Sequence, residues 1–80
     1  MSLDIKGIVK NGMAVTFTGG EFINPIETSS YVYCRVDGTV QVELSNGFNT
    51  SQAMLAGSYW RVGASKIIEA GTSATVEIHW

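Results

Sequence analysis

The sequence has very little of the material that small proteins use for cross-linking or for chemistry. Its 80 residues contain one cysteine, one proline and one histidine. A single cysteine excludes an internal disulfide, and Cys34 with His79 falls short of the ligand cluster that a metal centre needs. No residue pair suggests a nucleophile and its base. We therefore expect no enzymatic activity, no metal and no cofactor.

Charge is also sparse. Five basic and seven acidic residues give a net charge of -2, without a run of either sign. Proteins that bind nucleic acid need a basic patch to neutralise phosphates, so the composition argues against that class. No apolar stretch approaches the roughly 20 residues of a membrane-spanning helix. The opening residues, MSLDIKG, lack a long apolar segment of the secretory kind, which favours synthesis in the cytoplasm.

What the sequence does contain is a succession of short alternating segments. In residues 30–45, SYVYCRVDGTVQVELS, apolar and polar residues alternate on both sides of Asp37-Gly38. The pattern predicts a central hairpin with a bulged loop over residues 36–38 and a left-handed Gly38. This register sets Cys34 opposite Val40 and Val32 opposite Val42, so that one face is apolar.

The remaining segments extend the same pattern. Residues 3–18 predict a second hairpin with a loop over residues 10–12, Val9 opposite Met13 and Ile5 opposite Phe17. Residues 48–57 form the only candidate helix, with at most one helical turn near residues 50–56. Residues 59–69 predict a strand interrupted at Gly63. The closing segment places four residues on one face: Ala74, Val76, Ile78 and Trp80.

Together these segments predict an all-β fold. We expect a small antiparallel β-sandwich or barrel of six to eight short strands, formed by residues 1–80 as a single domain. A chain this short buries only about 60% of its unfolded surface, and no disulfide compensates. Oligomerisation or attachment to a larger body is the expected supplement.

The aromatic residues provide the candidate binding surface. Tyr31 and Tyr33 lie on the polar face of the central hairpin, and Tyr59-Trp60 are adjacent, so one of those two rings points away from the core. A protein interface is the preferred interpretation; an ordinary surface and a sugar platform flanked by Arg35 or Arg61 are the alternatives. The candidate interface residues are Phe22, Ile26, Tyr31, Tyr33, Tyr59, Trp60 and Trp80.

The last third of the chain, GSYWRVGASKIIEAGTSATVEIHW, resembles the C-terminal signature of a family of small phage-type virion proteins. This is the spike-base family of gene transfer agents and tailed phages. The matching pieces are Arg61-Val62, Lys66-Ile67-Ile68, Ala70-Gly71-Thr72, Ser73-Ala74-Thr75 and residues 76–80. Upstream, DGTVQVELSNG is similar to the family's central strand, followed by Phe48. The resemblance covers residues 31–80; nearer the start, Asn24-Pro25 stands where the family has an Asp-Leu-Pro type of segment.

The resemblance implies a non-enzymatic structural protein of a phage or phage-like particle, either a head spike base or a capsid decoration protein. Such a protein is made in the bacterial cytoplasm and resides in the virion. Its implied partners are further copies of itself, as a trimer or pentamer, and capsid or spike proteins. The alternative is a small carbohydrate-binding β module that uses the exposed Tyr and Trp residues.

Overall fold

The computed structural model describes residues 9–26 and 30–80. These residues form eight strands in two four-stranded antiparallel sheets, which confirms the all-β prediction. Sheet 1 has the order β1-β8-β3-β6 and sheet 2 the order β2-β7-β4-β5. The strands are β1 (Gly12–Ala14), β2 (Glu21–Ile23), β3 (Tyr31–Val36), β4 (Gly38–Leu44), β5 (Asn49–Met54), β6 (Tyr59–Trp60), β7 (Ala64–Ile68) and β8 (Thr75–His79).

The core lies between the two sheets. Alternate residues of the strands turn inward, as their period-two pattern predicts. Sheet 1 and its flanks contribute Val32, Cys34, Ala74, Val76 and Ile78, and sheet 2 contributes Val40, Val42, Met54, Ala64 and Ile67. Helix is confined in the described residues to one 3-10 turn, Glu69–Gly71, so none of those residues belongs to a helix long and apolar enough to cross a membrane.

The predicted central hairpin is wrong, although its inward-facing residues are largely correct. β3 pairs with β6 and β8 in sheet 1, whereas β4 pairs with β5 and β7 in sheet 2. Gly38 does not adopt the left-handed conformation; a Cβ there would lie 2.5 Å from the backbone nitrogen of Ala74. Asp37-Gly38 is therefore a crossing between sheets, and the glycine permits close backbone approach instead of a turn.

Val36, expected in the loop of that hairpin, is instead the last residue of β3, and it does not continue the inward alternation of Val32 and Cys34. The pairing of β3 with β8 shifts register between Cys34 and Val36, the mark of a bulge. A bulge adds one residue to the strand and so breaks the strict alternation. As a result Val36 is 57% exposed.

Residues 50–56 do not form the predicted helical turn. Asn46-Gly47 closes a hairpin in which the Leu44 N–H donates to the Phe48 carbonyl at 2.8 Å, and Gly47 has a φ of 88°. The following residues form β5, which pairs along its whole length with β4. Because this ladder satisfies one side of the backbone and buries Met54, the extended conformation prevails over a helix that is too short to be stable alone.

The predicted loop over residues 10–12 is also wrong. Met13 pairs with Ile78, and the N–H groups of Lys10 and Asn11 both donate to the Trp80 carbonyl. Asn11-Gly12 thus extends a ladder to the closing strand instead of reversing the chain. The predicted pairing of Ile5 with Phe17 lies outside the described residues.

The closing segment follows its prediction closely, with one difference. Ala74, Val76 and Ile78 are buried, and the strand interruption at Gly63 is confirmed, because residues 61–63 carry the chain from sheet 1 to sheet 2. Trp80, the fourth residue of that face, packs against the core but is only partly buried. Trp80 lies beyond the last residue of β8, where the neighbouring strands cover the ring less completely.

Val40→Asp is expected to prevent folding. Val40 is 0% exposed, and an unpaired carboxylate in this core costs several kcal/mol, comparable with the 5–15 kcal/mol total stability of a domain. Circular dichroism during heating measures the effect. Glu43→Gln, on the opposite face of β4, is the matched control and should leave the melting temperature nearly unchanged. Equal melting temperatures for Val40→Asp and the parent would refute this assignment of faces.

Trp80→Ala is expected to lower stability by about 2 kcal/mol, half of what a fully buried ring contributes. For a domain of this size that corresponds to a fall in melting temperature on the order of 10 °C. Deleting Trp80 should cost more, since the deletion also removes the backbone groups that bond to Lys10 and Asn11. Thr75→Ala, at an exposed position beside the same strand's buried face, serves as the control. A parental melting temperature in both Trp80 variants would contradict the anchoring role.

Candidate functional site

Four aromatic side chains gather on the outer face of sheet 1. Because Val32 and Cys34 turn inward, Tyr31 and Tyr33 of β3 turn outward, and in β8 the burial of Val76 and Ile78 turns His79 outward. The strand register sets Tyr31 opposite His79 and Tyr33 opposite Tyr59 of β6. We call Tyr31, Tyr33, Tyr59 and His79 the aromatic cluster.

The rings of the aromatic cluster contact one another. Tyr33 stacks on His79 with centroids 4.6 Å apart and an interplanar angle of 15°, and its centroid lies 4.7 Å from that of Tyr59. Tyr59 meets Tyr31 edge-on at 6.2 Å. These separations match or approach the range in which aromatic pairs attract one another. One face of the Tyr33 ring is consequently covered by the stacked His79 ring.

A chain of polar contacts runs through the same residues. The Tyr59 hydroxyl lies 3.0 Å from His79 Nδ1, and His79 Nε2 lies 2.8 Å from Glu77 Oε1. Arg35 donates to the other Glu77 oxygen at 3.1 Å. The chain is satisfied when the imidazole carries its proton on Nε2, donates to Glu77 and accepts from the tyrosine hydroxyl. The hydrogen bonds thereby fix the orientation of two of the rings.

Two arginines border the aromatic cluster. The guanidinium of Arg61 lies 5.8 Å from the centroid of the Tyr31 ring, within cation–π distance. Arg35, at the other end of the chain of polar contacts, is exposed and paired with Glu77. Rings, guanidinium groups and one carboxylate together make a surface of the kind that is enriched in protein interfaces.

The pKa values of Tyr59 and Cys34 are both raised. Burial, followed by the proximity of Tyr33 and Glu77, raises the pKa of Tyr59. Burial, followed by the charge of Asp37, likewise raises the pKa of the Cys34 thiol, which donates to the Val36 carbonyl at 3.1 Å. A lowered pKa, one of the ways in which a thiol or phenol becomes a nucleophile, is therefore lacking at both residues. Within residues 9–26 and 30–80, no three His, Cys, Asp or Glu side chains are grouped as metal ligands would be.

The structure brings together three of the seven predicted interface residues. Tyr31, Tyr33 and Tyr59 belong to the aromatic cluster. Phe22, Trp60 and Trp80 instead pack against the core from partly buried positions. Ile26 is half-buried after β2, and its N–H donates to Asn24 Oδ1. These four residues therefore lie outside the aromatic cluster.

The interface prediction did not include His79 and Glu77. Both alternate with the apolar residues of the closing segment and so lie on its opposite face, but nothing in the sequence indicates which strand lies beside them. The missing information is the register between β3 and β8, which are separated by about half of the chain. An alternating segment shows which of its residues share a face, but it does not show which other strands lie next to it.

A second surface surrounds β5. Phe48, before the strand, is 61% exposed, and Leu55, after it, is 70% exposed. A groove of about 340 Å³ lies at the C-terminal end of the strand. Its lining comprises Gln52, Ala53, Met54, Leu55, Ala56, Gly57, Ser58 and Tyr59. Tyr59 therefore belongs both to this groove and to the aromatic cluster, so the two surfaces adjoin.

Comparisons with protein-family models, with curated proteins and with solved structures find no match to this chain.

Tyr59 is expected to ionise above the ordinary tyrosine pKa of 10.0. Burial favours its neutral form, so its contribution to stability is complete below pH 10.0 and is lost as pH rises through the higher folded-state value. The difference in tyrosinate absorbance between the parent and Tyr59→Phe isolates this residue during an alkaline titration. A step at or below the ordinary value would contradict the buried environment. The stability of Tyr59→Phe should also fall less steeply than that of the parent as pH rises above 10.0.

Proposed function

We propose that this protein is a non-enzymatic structural component of a phage or phage-like particle, a head spike base or capsid decoration protein that acts by oligomeric assembly. The observation that carries the proposal is the amount of large apolar surface that the sandwich leaves exposed. Ile23, Val36, Phe48 and Leu55 are each more than half exposed, at 67%, 57%, 61% and 70%. A chain of 80 residues has a small core, and burying these side chains between subunits would add apolar area that the single copy leaves in water.

The aromatic cluster supports the same proposal. Its tyrosines and neighbouring arginines are the residue types that dominate protein contacts, and hydrogen bonds already fix two of its rings. Ordered side chains lose little conformational entropy when a partner docks on them. The resemblance of residues 31–80 to the spike-base family supplies the kind of assembly, with a trimer or pentamer of this chain contacting capsid or spike proteins.

A carbohydrate-binding module is the second candidate, because the aromatic cluster combines rings with hydrogen-bonding groups. The arrangement of the rings disfavours it. A sugar stacks on an open ring face, but His79 stacks on one face of Tyr33 and Arg61 lies over Tyr31. A glycan array in which the parent binds and Tyr31→Ala does not would favour this candidate over assembly.

The assembly proposal is tested by mass and by location. Light scattering over a range of concentrations up to the millimolar range should give the mass of a trimer or pentamer, or of a multiple of either. In the cells that encode it, a tagged copy should co-sediment with particles in a density gradient. A stable monomer at every concentration would refute oligomeric assembly. Absence from the particle fraction would refute the virion role even if the protein forms oligomers.

A further inference from the structure

β5 is the described strand with the longest uncovered edge. It is the last strand of sheet 2, and β4 pairs with only one side of it. The Leu44 N–H donates to the Phe48 carbonyl, so the backbone of Phe48 faces β4. Every second residue of a strand bonds to the same neighbour, so the N–H and C=O groups of Thr50, Gln52 and Met54 also point toward β4. The N–H and C=O groups of three residues then point away from the sheet: Asn49, Ser51 and Ala53.

This edge has none of the usual protections. Proteins cover or disrupt exposed edges with lysines, prolines, bulges or very short strands. The sequence of β5, NTSQAM, has no charge and no proline, and its pairing with β4 is regular over Asn49–Met54.

The opposite edge of sheet 2 provides a contrast. β2 has three residues, and both backbone groups of Glu21 already pair with Thr18. Alternation leaves Ile23 as the only β2 residue whose backbone groups point outward. A β5 strand that paired with β2 of another copy would therefore form backbone hydrogen bonds with little more than one residue, Ile23.

Pairing of β5 with β5 of a second copy fits much better. Antiparallel strands related by a two-fold axis at Ser51 set Ser51 opposite Ser51 and Asn49 opposite Ala53. All three outward-facing positions then fall on hydrogen-bonded pairs, each of which exchanges both backbone bonds. No charged side chain of β5 opposes a like charge in this register.

The same register explains Phe48 and the groove. It sets Phe48 of one copy opposite Met54 of the other, in a non-hydrogen-bonded pair, where side chains approach most closely. Met54 and Tyr59 line the groove of about 340 Å³ at that end of the strand. The Phe48 ring, which is 61% exposed in one copy, thus meets the groove of its partner, whose lining includes Met54, Leu55 and Tyr59, twice per dimer.

We propose that two copies of this chain join through β5 as a two-fold, antiparallel continuation of sheet 2, with Phe48 of each copy seated in the β5 groove of the other. This contact goes beyond the proposed trimer or pentamer. A trimer or pentamer closes by a different, head-to-tail contact, and a two-fold contact added to it would join two rings face to face.

Ser51→Pro tests the backbone pairing. The Ser51 N–H points away from β4, so proline is tolerated in the single copy but removes the donor of both hydrogen bonds at the two-fold axis. Sedimentation velocity should show the dissociation constant of the two-fold contact rising on the order of 30-fold. Phe48→Ala should also weaken the contact. Ile23→Ser, at a comparably exposed position on β2, is the matched control and should leave it unchanged.

The register is tested by charge. Because residue 51 faces itself across the axis, Ser51→Lys and Ser51→Glu should each associate more weakly than the parent, whereas an equimolar mixture should associate more tightly than either variant alone. A mixture no tighter than its components would overturn the two-fold register. Parental association of Ser51→Pro would overturn β5 pairing altogether, while leaving the particle role to its own test by co-sedimentation.

Discussion

Sheet 1 depends on the position of its closing strand. β8 lies between β1 and β3, so the end of the chain holds together segments from its first half. Its inner face buries Val76 and Ile78, and its outer face presents Glu77 and His79 to the tyrosines of β3 and β6. Beyond the strand, the N–H groups of Lys10 and Asn11 donate to the Trp80 carbonyl, and the Trp80 N–H donates to the Asn11 carbonyl. β8 thus contributes buried side chains to the core, places His79 in the aromatic cluster, and joins β1 to β3 in sheet 1.

How much of this fold could be predicted from the sequence follows from the range of the interactions involved. Alternation depends on neighbouring residues, and it correctly placed Val32, Cys34, Val40 and Val42 inside. Strand partners depend on residues far along the chain, and there the local turn signals misled. Asp37-Gly38 is typical of a hairpin, yet Gly38 is required because Ser73 and Ala74 pack against its backbone. No pattern within residues 30–45 contains that contact.

β5 was missed for a related reason. Its residues have weak strand propensity and include a short stretch compatible with a helical turn. The turn at Asn46-Gly47 and the ladder with β4 determine its conformation instead. The aromatic cluster was half predictable in the same sense. Tyr31 and Tyr33 follow from alternation in β3, whereas the sequence left open which of Tyr59 and Trp60 turns outward. His79 joins the tyrosines only through a register that the folded sheet establishes.

The route of the chain also accounts for the two surfaces of the molecule. Of the consecutive described strands, only β4 and β5 remain in one sheet; every other connection crosses between sheets. Each crossing places the next strand beside partners from elsewhere in the chain, and β3, β4, β7 and β8 have a neighbour on both sides. The other edge strands, β1, β2 and β6, are short and expose few backbone groups. β5 alone combines length, neutrality and a single partner. An edge of this kind is a liability in a free monomer, since it pairs with any exposed strand, and it is consistent with a chain whose natural state includes a neighbour.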